Sequence, residues 1–301
     1  MRVINYCTND WANFAYDNAM ALQSVKVDCK SYVVNKHPFN YIYTSELITD
    51  ENIMKEMYEA DYVQIFHSDV SALERFFQSD SKAKLIVYHA GSVYRRNPDF
   101  INSQFNGYVH KVVIALPEFM SKKKEIYIVG AIDVDRITPE TKKISHPYIF
   151  AHYPSCYEKK GSYEICEMMK EMNYELKFSS DNVSMPEHYK RAMSCDIYIE
   201  LFKKELEGKE YGSFGIQALE SAAMGKIVIT QNMNEDVYFN EYGVCRLMLA
   251  NNKTDFKDMV YTLNNSSPAD IKKLQEETRQ WVVDNHSYKK TGKRILKKVL
   301  C

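Results

Sequence analysis

The stretch Tyr211-Gly-Ser-Phe-Gly-Ile-Gln-Ala-Leu-Glu-Ser-Ala-Ala-Met-Gly-Lys-Ile-Val-Ile-Thr230 reads as a glycine-bounded helix running into a strand. Gly212 and Gly215 precede a predicted helix over 214–224. Gly225 and Lys226 then turn the chain into a predicted strand over 226–230. The first turn of a helix carries unpaired N–H groups and a partial positive charge. Glycines ahead of it let a phosphate approach the backbone. Glu220 falls one turn further in, where a carboxylate can accept two hydroxyl hydrogen bonds from a ribose. Any glycine-bounded helix leading to a strand has this spacing too, so spacing alone permits phosphate binding without requiring it.

Outward from this stretch, short β-rich runs alternate with helical periodicity. Towards the N-terminus, strands are predicted at 3–7, 31–34, 62–66, 84–88, 109–116 and 126–129. Helices are predicted over 11–25, 51–58 and 72–77. Asp133–Pro147 is polar, carries two prolines and has no period, so it reads as a linker. The alternation restarts with strands at 148–151, 175–178 and 196–201 and helices over 161–172 and 186–193. Ser184 is the expected N-cap of the latter, with Pro186 in its first turn. Helices over 254–263, 268–285 and 287–299 follow. This is the signature of parallel sheets covered on both faces. The expected fold is α/β, with two doubly wound Rossmann-like domains facing across a cleft. The boundaries are 1–140, 146–285, and a C-terminal helix over 286–301 crossing back to the first domain.

Composition agrees with this size and class. The 301 residues suit two domains of about 150 residues each. At 45% hydrophobic and 26% charged, the chain is not a disordered one. Thirty-nine Lys+Arg against 40 Asp+Glu leave a formal charge of −1, which advertises no global DNA-binding or membrane surface. The longest apolar stretch, Ile126–Ile132, is far short of the ~20 residues a membrane span needs. The first residues lack a signal-peptide core. Seven scattered cysteines, with no CxxC or Cys/His spacing, point to reduced thiols rather than disulfides or zinc. A cytoplasmic protein is expected.

The run YGSFGIQALESAAMGKIVIT resembles the donor-binding signature of GT-B glycosyltransferases of the large retaining family 4. Other segments are similar in order and spacing: HAGSVYRRNP (89–98), PSCYEKKGSYEI (154–165), SCDIYIELF (194–202) and the terminal HSYKKTGKRILKKVL. The resemblance spans most of the chain and is most specific over Gly215–Val228. It implies a nucleoside-diphosphate-sugar donor held by the second domain, with Lys160 neutralising the diphosphate. Gly212, Ser213, Phe214, Gly215 and Ile216 would surround the donor, the amides of Gly215 and Ile216 cradling its phosphates, and Glu220 would bind the ribose. His89 and Glu220 are the implied catalytic residues, His89 from a first-domain loop. Transfer would retain anomeric configuration and need no metal, because a lysine and a helix N-terminus can stabilise the departing diphosphate.

Two positions depart from the family pattern. Gly212 stands where an acidic residue is common, eight before Glu220, with Glu207 and Glu210 nearby but out of register. Tyr157 stands where a phosphate-binding arginine is common, with Lys159 or Arg191 as substitutes. Acceptor-side candidates in the first domain are Asn9, Asp10, Trp11, Ser92 and Arg95. Asp10 also reads as a helix N-cap and Trp11 as a core residue. Asp133-Val134-Asp135 matches a metal-binding D-x-D, but its place in the linker favours a hinge, so no metal is expected. The charged run Lys203–Glu210 reads as a mobile loop. The basic residues between Lys289 and Lys298 read as a solvated helix face that could also meet a membrane surface or a lipid-linked acceptor. The leading expectation is a glycosyltransferase with a glycan, lipid-linked or other acceptor. The alternatives are a catalytically inactive nucleotide- or glycan-binding protein, and a glycosyltransferase of modified DNA bases. The neutral charge argues against the last.

Overall fold

The computed structural model describes residues 1–121, 125–139 and 143–301. The chain divides into two compact units: Met1–Asp133 together with His286–Cys301, and Val134–Asn285. The predicted linker contains the boundary, and its residues 140–142 lie outside the described ones.

In chain order the first unit runs β1 (Arg2–Cys7), α1 (Phe14–Gln23), β2 (Asp28–Val33), β3 (Glu46–Leu47), α2 (Asp50–Tyr58), β4 (Tyr62–Ile65), α3 (Val70–Gln78), β5 (Lys84–His89), α4 (Gly91–Arg96), α5 (Pro98–Phe105), β6 (Lys111–Ile114) and β7 (Ile126–Tyr127). The second runs β8 (Phe150–His152), α6 (Ser162–Glu171), β9 (Leu176–Phe178), α7 (Met185–Met193), β10 (Ile197–Ile199), β11 (Glu205–Leu206), β12 (Lys209–Glu210), α8 (Ile216–Ala223), β13 (Ile227–Thr230), α9 (Glu235–Tyr242), β14 (Met248–Leu249), α10 (Lys253–Asn264) and α11 (Pro268–His286). The chain then returns to the first unit with α12 (Tyr288–Ile295) and a π-helical turn, Leu296–Leu300.

Each unit is a parallel sheet with helices. The first sheet has the order β3-β2-β1-β4-β5-β6-β7, and the second β14-β13-β10-β8-β9. Side chains alternate across a strand, so each strand feeds two cores. Val3, Cys7, Ile86 and Tyr88 join one apolar cluster with Phe14 and Leu22 of α1. Ile4, Tyr6, Leu85 and Val87 join another with Ile53 and Met57 of α2. Burial on both faces explains why these strands read as near-continuous apolar runs.

The C-terminal segment completes the first of these clusters with Ile295, Val299 and Leu300. Tyr288 donates to Asp17 Oδ1 at 2.6 Å, and Tyr62 donates to Leu300 O at 2.5 Å. At Gly292, α12 lies so close to α1 that a Cβ would sit 2.0 Å from Ala21 O.

The structure differs from the sequence reading in several places. Helices α4, α5 and α9 occupy segments where the sequence reading placed none, although Ile101/Phe105 and Tyr238/Tyr242 are buried at i,i+4. The run 203–210 is an antiparallel hairpin rather than a mobile loop. Its turn residues Glu207 and Gly208 have φ of +55° and +74°, as a tight two-residue hairpin turn requires. The first helix starts at Phe14, not Trp11, because Ala12 and Asn13 have φ of +56° and +57°. Ser184 is the N-cap of α7, but its side chain makes no capping bond.

Strand order locates the crevices. In the first unit β1 has β2 on one side and β4 on the other. In the second, β8 lies between β9 and β10. Loops leaving such neighbours diverge at their carboxyl ends, and open α/β sheets bind ligands there. The loops concerned follow β1 and β4 in the first unit, and β8 and β10 in the second.

Candidate active site

At the β8/β10 switch point, Lys160 is held by the backbone around it. Its carbonyl accepts from Phe202 N at 3.1 Å. Gly161 has φ +66°, and a Cβ there would sit 1.8 Å from Phe202 O, so only glycine fits. His152, ending β8, steadies the next helix. Its Nδ1 lies 2.8 Å from Ile199 O and its Nε2 2.8 Å from Ser162 Oγ. Burial lowers its pKa to about 4, so the ring is neutral: Nδ1–H donates to the carbonyl and Nε2 accepts from the serine.

Lys160 Nζ forms a buried ion pair with Glu200, the residue after β10. Thr230, ending β13, donates to the other Glu200 oxygen at 2.7 Å. Burial pulls the lysine's pKa down, but the attraction of Glu200 outweighs it, so Lys160 stays charged. Gly215 caps α8 with no side chain. A Cβ on it would lie 3.6 Å from Glu200 Oε1 and 3.8 Å from Lys160 Nζ. The ammonium therefore sits beside the Gly215 end of the helix. Glu200 modifies the expected role of Lys160 in neutralising the diphosphate. The Lys160–Glu200 pair has no net charge, so Lys160 offers N–H donors and the helix dipole supplies the remaining positive potential. Sequence reading missed Glu200 because 40 residues separate it from Lys160.

Glu220 is buried within α8, and Tyr189 of α7 donates to its Oε1 at 2.6 Å. Burial pushes its pKa up to about 7, with the Tyr189 bond pulling the other way. On the first turn of the same helix, Gln217 Nε2 lies 2.9 Å from Tyr153 O and 2.6 Å from the Tyr198 hydroxyl.

The remaining donor-side candidates divide. Ile216 opens α8 and is half-buried. Phe214 is buried, edge-on to Tyr238 at 5.4 Å. Ser213 forms a β-bridge with Asn232. Gly212 has φ +120°, and a Cβ there would lie 2.9 Å from Lys203 O and 3.0 Å from Met233 Cγ. The backbone thus requires glycine where the family pattern has an acid. Glu210 is engaged by Asn234 Nδ2 at 2.5 Å. Tyr157 packs edge-on to Phe178 at 6.0 Å. Arg191 donates to Ser179 at 2.9 Å and pairs with Glu187.

In the first unit, Asp10 caps α1. Its oxygens accept from Ala15 N at 2.8 Å and Tyr16 N at 3.0 Å. Ser45 Oγ and His67 Nε2 lie at 3.1 and 3.3 Å. Asn9 accepts from Asn35 Nδ2 at 3.2 Å. Trp11, an acceptor-side candidate that also read as a core residue, is 49% exposed and lies outside the core. Ser92 lies in α4 and is half-buried.

Two expectations need correction. His89 is not a loop residue. It ends β5, is 1% exposed, stacks on Tyr94 at 4.1 Å, and has Ser68 Oγ 2.9 Å from Nδ1. Burial lowers its pKa to about 3, which leaves a neutral structural imidazole. Arg95, named as an acceptor-side candidate, is not open to solvent. It is buried, paired with Glu118 at 2.7 Å, and lies over the Phe119 ring.

Cys7, Asp10 and His67 bring three ligand-type atoms within 4.8 Å of one another. All seven cysteines are free. Among the described residues, no helix is long and apolar enough to cross a membrane.

These sheets define a GT-B fold, and solved structures match it over the full length. HepE from Anabaena, in complex with UDP and glucose, superposes with a TM-score of 0.70 at 10% identity, over 100% of this chain and 99% of that one. An α-glucosyltransferase in complex with UDP and a 13-mer DNA containing an A:G mismatch gives 0.71 at 10% identity, over 95% and 96%. Sucrose-phosphate synthase from Thermosynechococcus elongatus gives 0.62 at 10% identity, over 99% and 98%. No protein-family model matches the sequence, and comparison with curated proteins gives no match.

Proposed function

We propose that this chain is a retaining glycosyltransferase that moves a sugar from a nucleoside-diphosphate sugar to an acceptor. The observation that carries this reading is the meeting of Lys160 and the Gly215 end of α8 at the β8/β10 switch point, with buried Glu220 one turn along. In the reaction the bond from the anomeric carbon to the diphosphate oxygen breaks, a bond to an acceptor hydroxyl oxygen forms, and that hydroxyl's proton passes to the departing diphosphate. The departing diphosphate gains negative charge. Lys160 N–H groups and the amides of Gly215 and Ile216 stabilise that charge. Glu220 holds the ribose hydroxyls, and the proposed chemistry needs no metal.

The test is thermal unfolding against UDP, GDP, TDP, ADP and CMP, each with EDTA or Mg²⁺. A ligand at 100 times its Kd adds about 2.7 kcal/mol of stability. One nucleotide is expected to raise Tm, equally in EDTA. HepE and the α-glucosyltransferase were solved with UDP, which makes UDP the first to try. Glu220→Ala is expected to cut donor turnover at least tenfold in a folded protein. No shift with any nucleotide would overturn the reading. The exposed lysines 289, 290, 293, 297 and 298 give α12 and its π-turn a basic face suited to an anionic bilayer. Co-sedimentation with phosphatidylserine vesicles, against neutral ones, tests that contact.

A further inference from the structure

The second sheet ends in a strand whose sequence is complementary to itself. β9 lies last in the strand order and pairs with β8, so among the described residues its other side is open. The run Tyr174-Glu175-Leu176-Lys177-Phe178 reads aromatic, acid, apolar, base, aromatic. An antiparallel copy centred on Leu176 therefore sets Glu175 opposite Lys177 and Tyr174 opposite Phe178, each pair occurring twice.

Side chains alternate across this strand. Tyr174 and Leu176 pack against the apolar cluster of the second unit. Phe178, on the same face, stays 40% exposed, edge-on to Tyr157, which is 39% exposed. Tyr174, Leu176 and Phe178 line a groove with Cys166 and Met169 of α6. Glu175 and Lys177 lie on the other face, exposed, and neither forms an ion pair with another described residue.

The backbone limits the register. Ser179 N–H donates to His152 O at 3.4 Å, and Lys177 lies opposite Ala151. Alternate residues of a parallel strand bond to the neighbour, so Lys177 and Ser179 face β8. Leu176 and Phe178 then turn their N–H and C=O groups to the open side. Two antiparallel registers use those groups. Centring on Lys177 opposes two lysines, which is unfavourable. Centring on Leu176 makes Leu176 and its copy a hydrogen-bonded pair. Glu175 and Lys177 then form the non-hydrogen-bonded pair beside it, where side chains approach closest. A lone edge lysine deters strand addition. Here the acid two residues before it neutralises it across the axis, so the charge pattern selects a second copy of this chain as the occupant.

We propose that β9 pairs antiparallel with β9 of a second copy about a two-fold axis at Leu176, joining two five-stranded sheets into one of ten. The contact is isologous and closes at a dimer. It stands independently of the transfer reading.

Sedimentation velocity on the full chain over a concentration series tests this. A monomer–dimer equilibrium is expected. Lys177→Glu and Glu175→Lys each set like charges opposite one another twice per dimer. Each should weaken dimerisation at least tenfold, about 1.4 kcal/mol. Combining Glu175→Lys with Lys177→Glu restores opposite charges across the axis and should restore the dimer. Both positions are exposed, so the circular dichroism of every variant should match that of the parent. A chain that stays monomeric throughout overturns the proposal. So does a dimer that either single reversal leaves intact, or one that the double reversal fails to restore.

Discussion

Glu220 couples the site to pH. Its folded pKa of about 7 lies above the ordinary 4.5. The raised value means that this group's stabilisation is full below about pH 4.5 and is lost as pH rises through 7, by roughly 3 kcal/mol. Glu220→Gln should therefore flatten the Tm profile between pH 5 and pH 8. In the proposed complex, ribose hydroxyls donating to the carboxylate favour its charged form. Nucleotide binding should strengthen as pH rises through 7 and release a proton. Calorimetry in buffers of different ionisation enthalpy measures that release, and its absence near pH 7 would remove Glu220 from the ribose. The Lys160–Glu200 pair makes a second prediction. Lys160→Met strands a buried carboxylate and should cost about 3–5 kcal/mol in denaturant unfolding. Adding Glu200→Gln should restore much of that stability but not nucleotide binding. The place of Glu220 in α8 was legible in the sequence because its helix and glycines are contiguous with it. The pairing of Lys160 with Glu200, and the burial of His89, arise from strand packing that no local spacing displays.

At the scale of elements, the backbone before α8 explains why Gly212 stands where the resembled pattern has an acid. Gly212 sits in a left-handed conformation against Lys203 O. Gly212→Glu, which installs that acid, should lower stability by at least about 1 kcal/mol rather than raise activity. Urea unfolding beside a turnover assay separates the two effects. The strands were readable because burial on both faces makes them apolar runs. α4 is only six residues long and follows a strand directly, so no period could reveal it. The β11–β12 hairpin did carry a signal, the Glu207-Gly208 turn, but its charge content masked it.

For the whole molecule, the doubled alternation of strand and helix made the two-sheet architecture legible. The crowded approach of Gly292 to Ala21 was not, because it joins residues from opposite ends of the sequence. Truncation before Ser287 should destabilise the first unit by exposing its α1 face, and leave the second unit's nucleotide-induced Tm shift in place. Hydrogen exchange resolves the two units.

The return of 286–301 to the first unit also has a consequence for synthesis. Ribosomes add about 5–20 residues per second. The α1 face therefore waits on the order of ten to thirty seconds for α12 while all of 134–285 is made. The second unit's last helix leads directly into the segment that completes the first, so the two units are completed within about one to three seconds of each other and the first loses its usual head start. Chaperones that recognise exposed apolar surface should engage nascent chains through the first unit, and let go only once α12 has emerged.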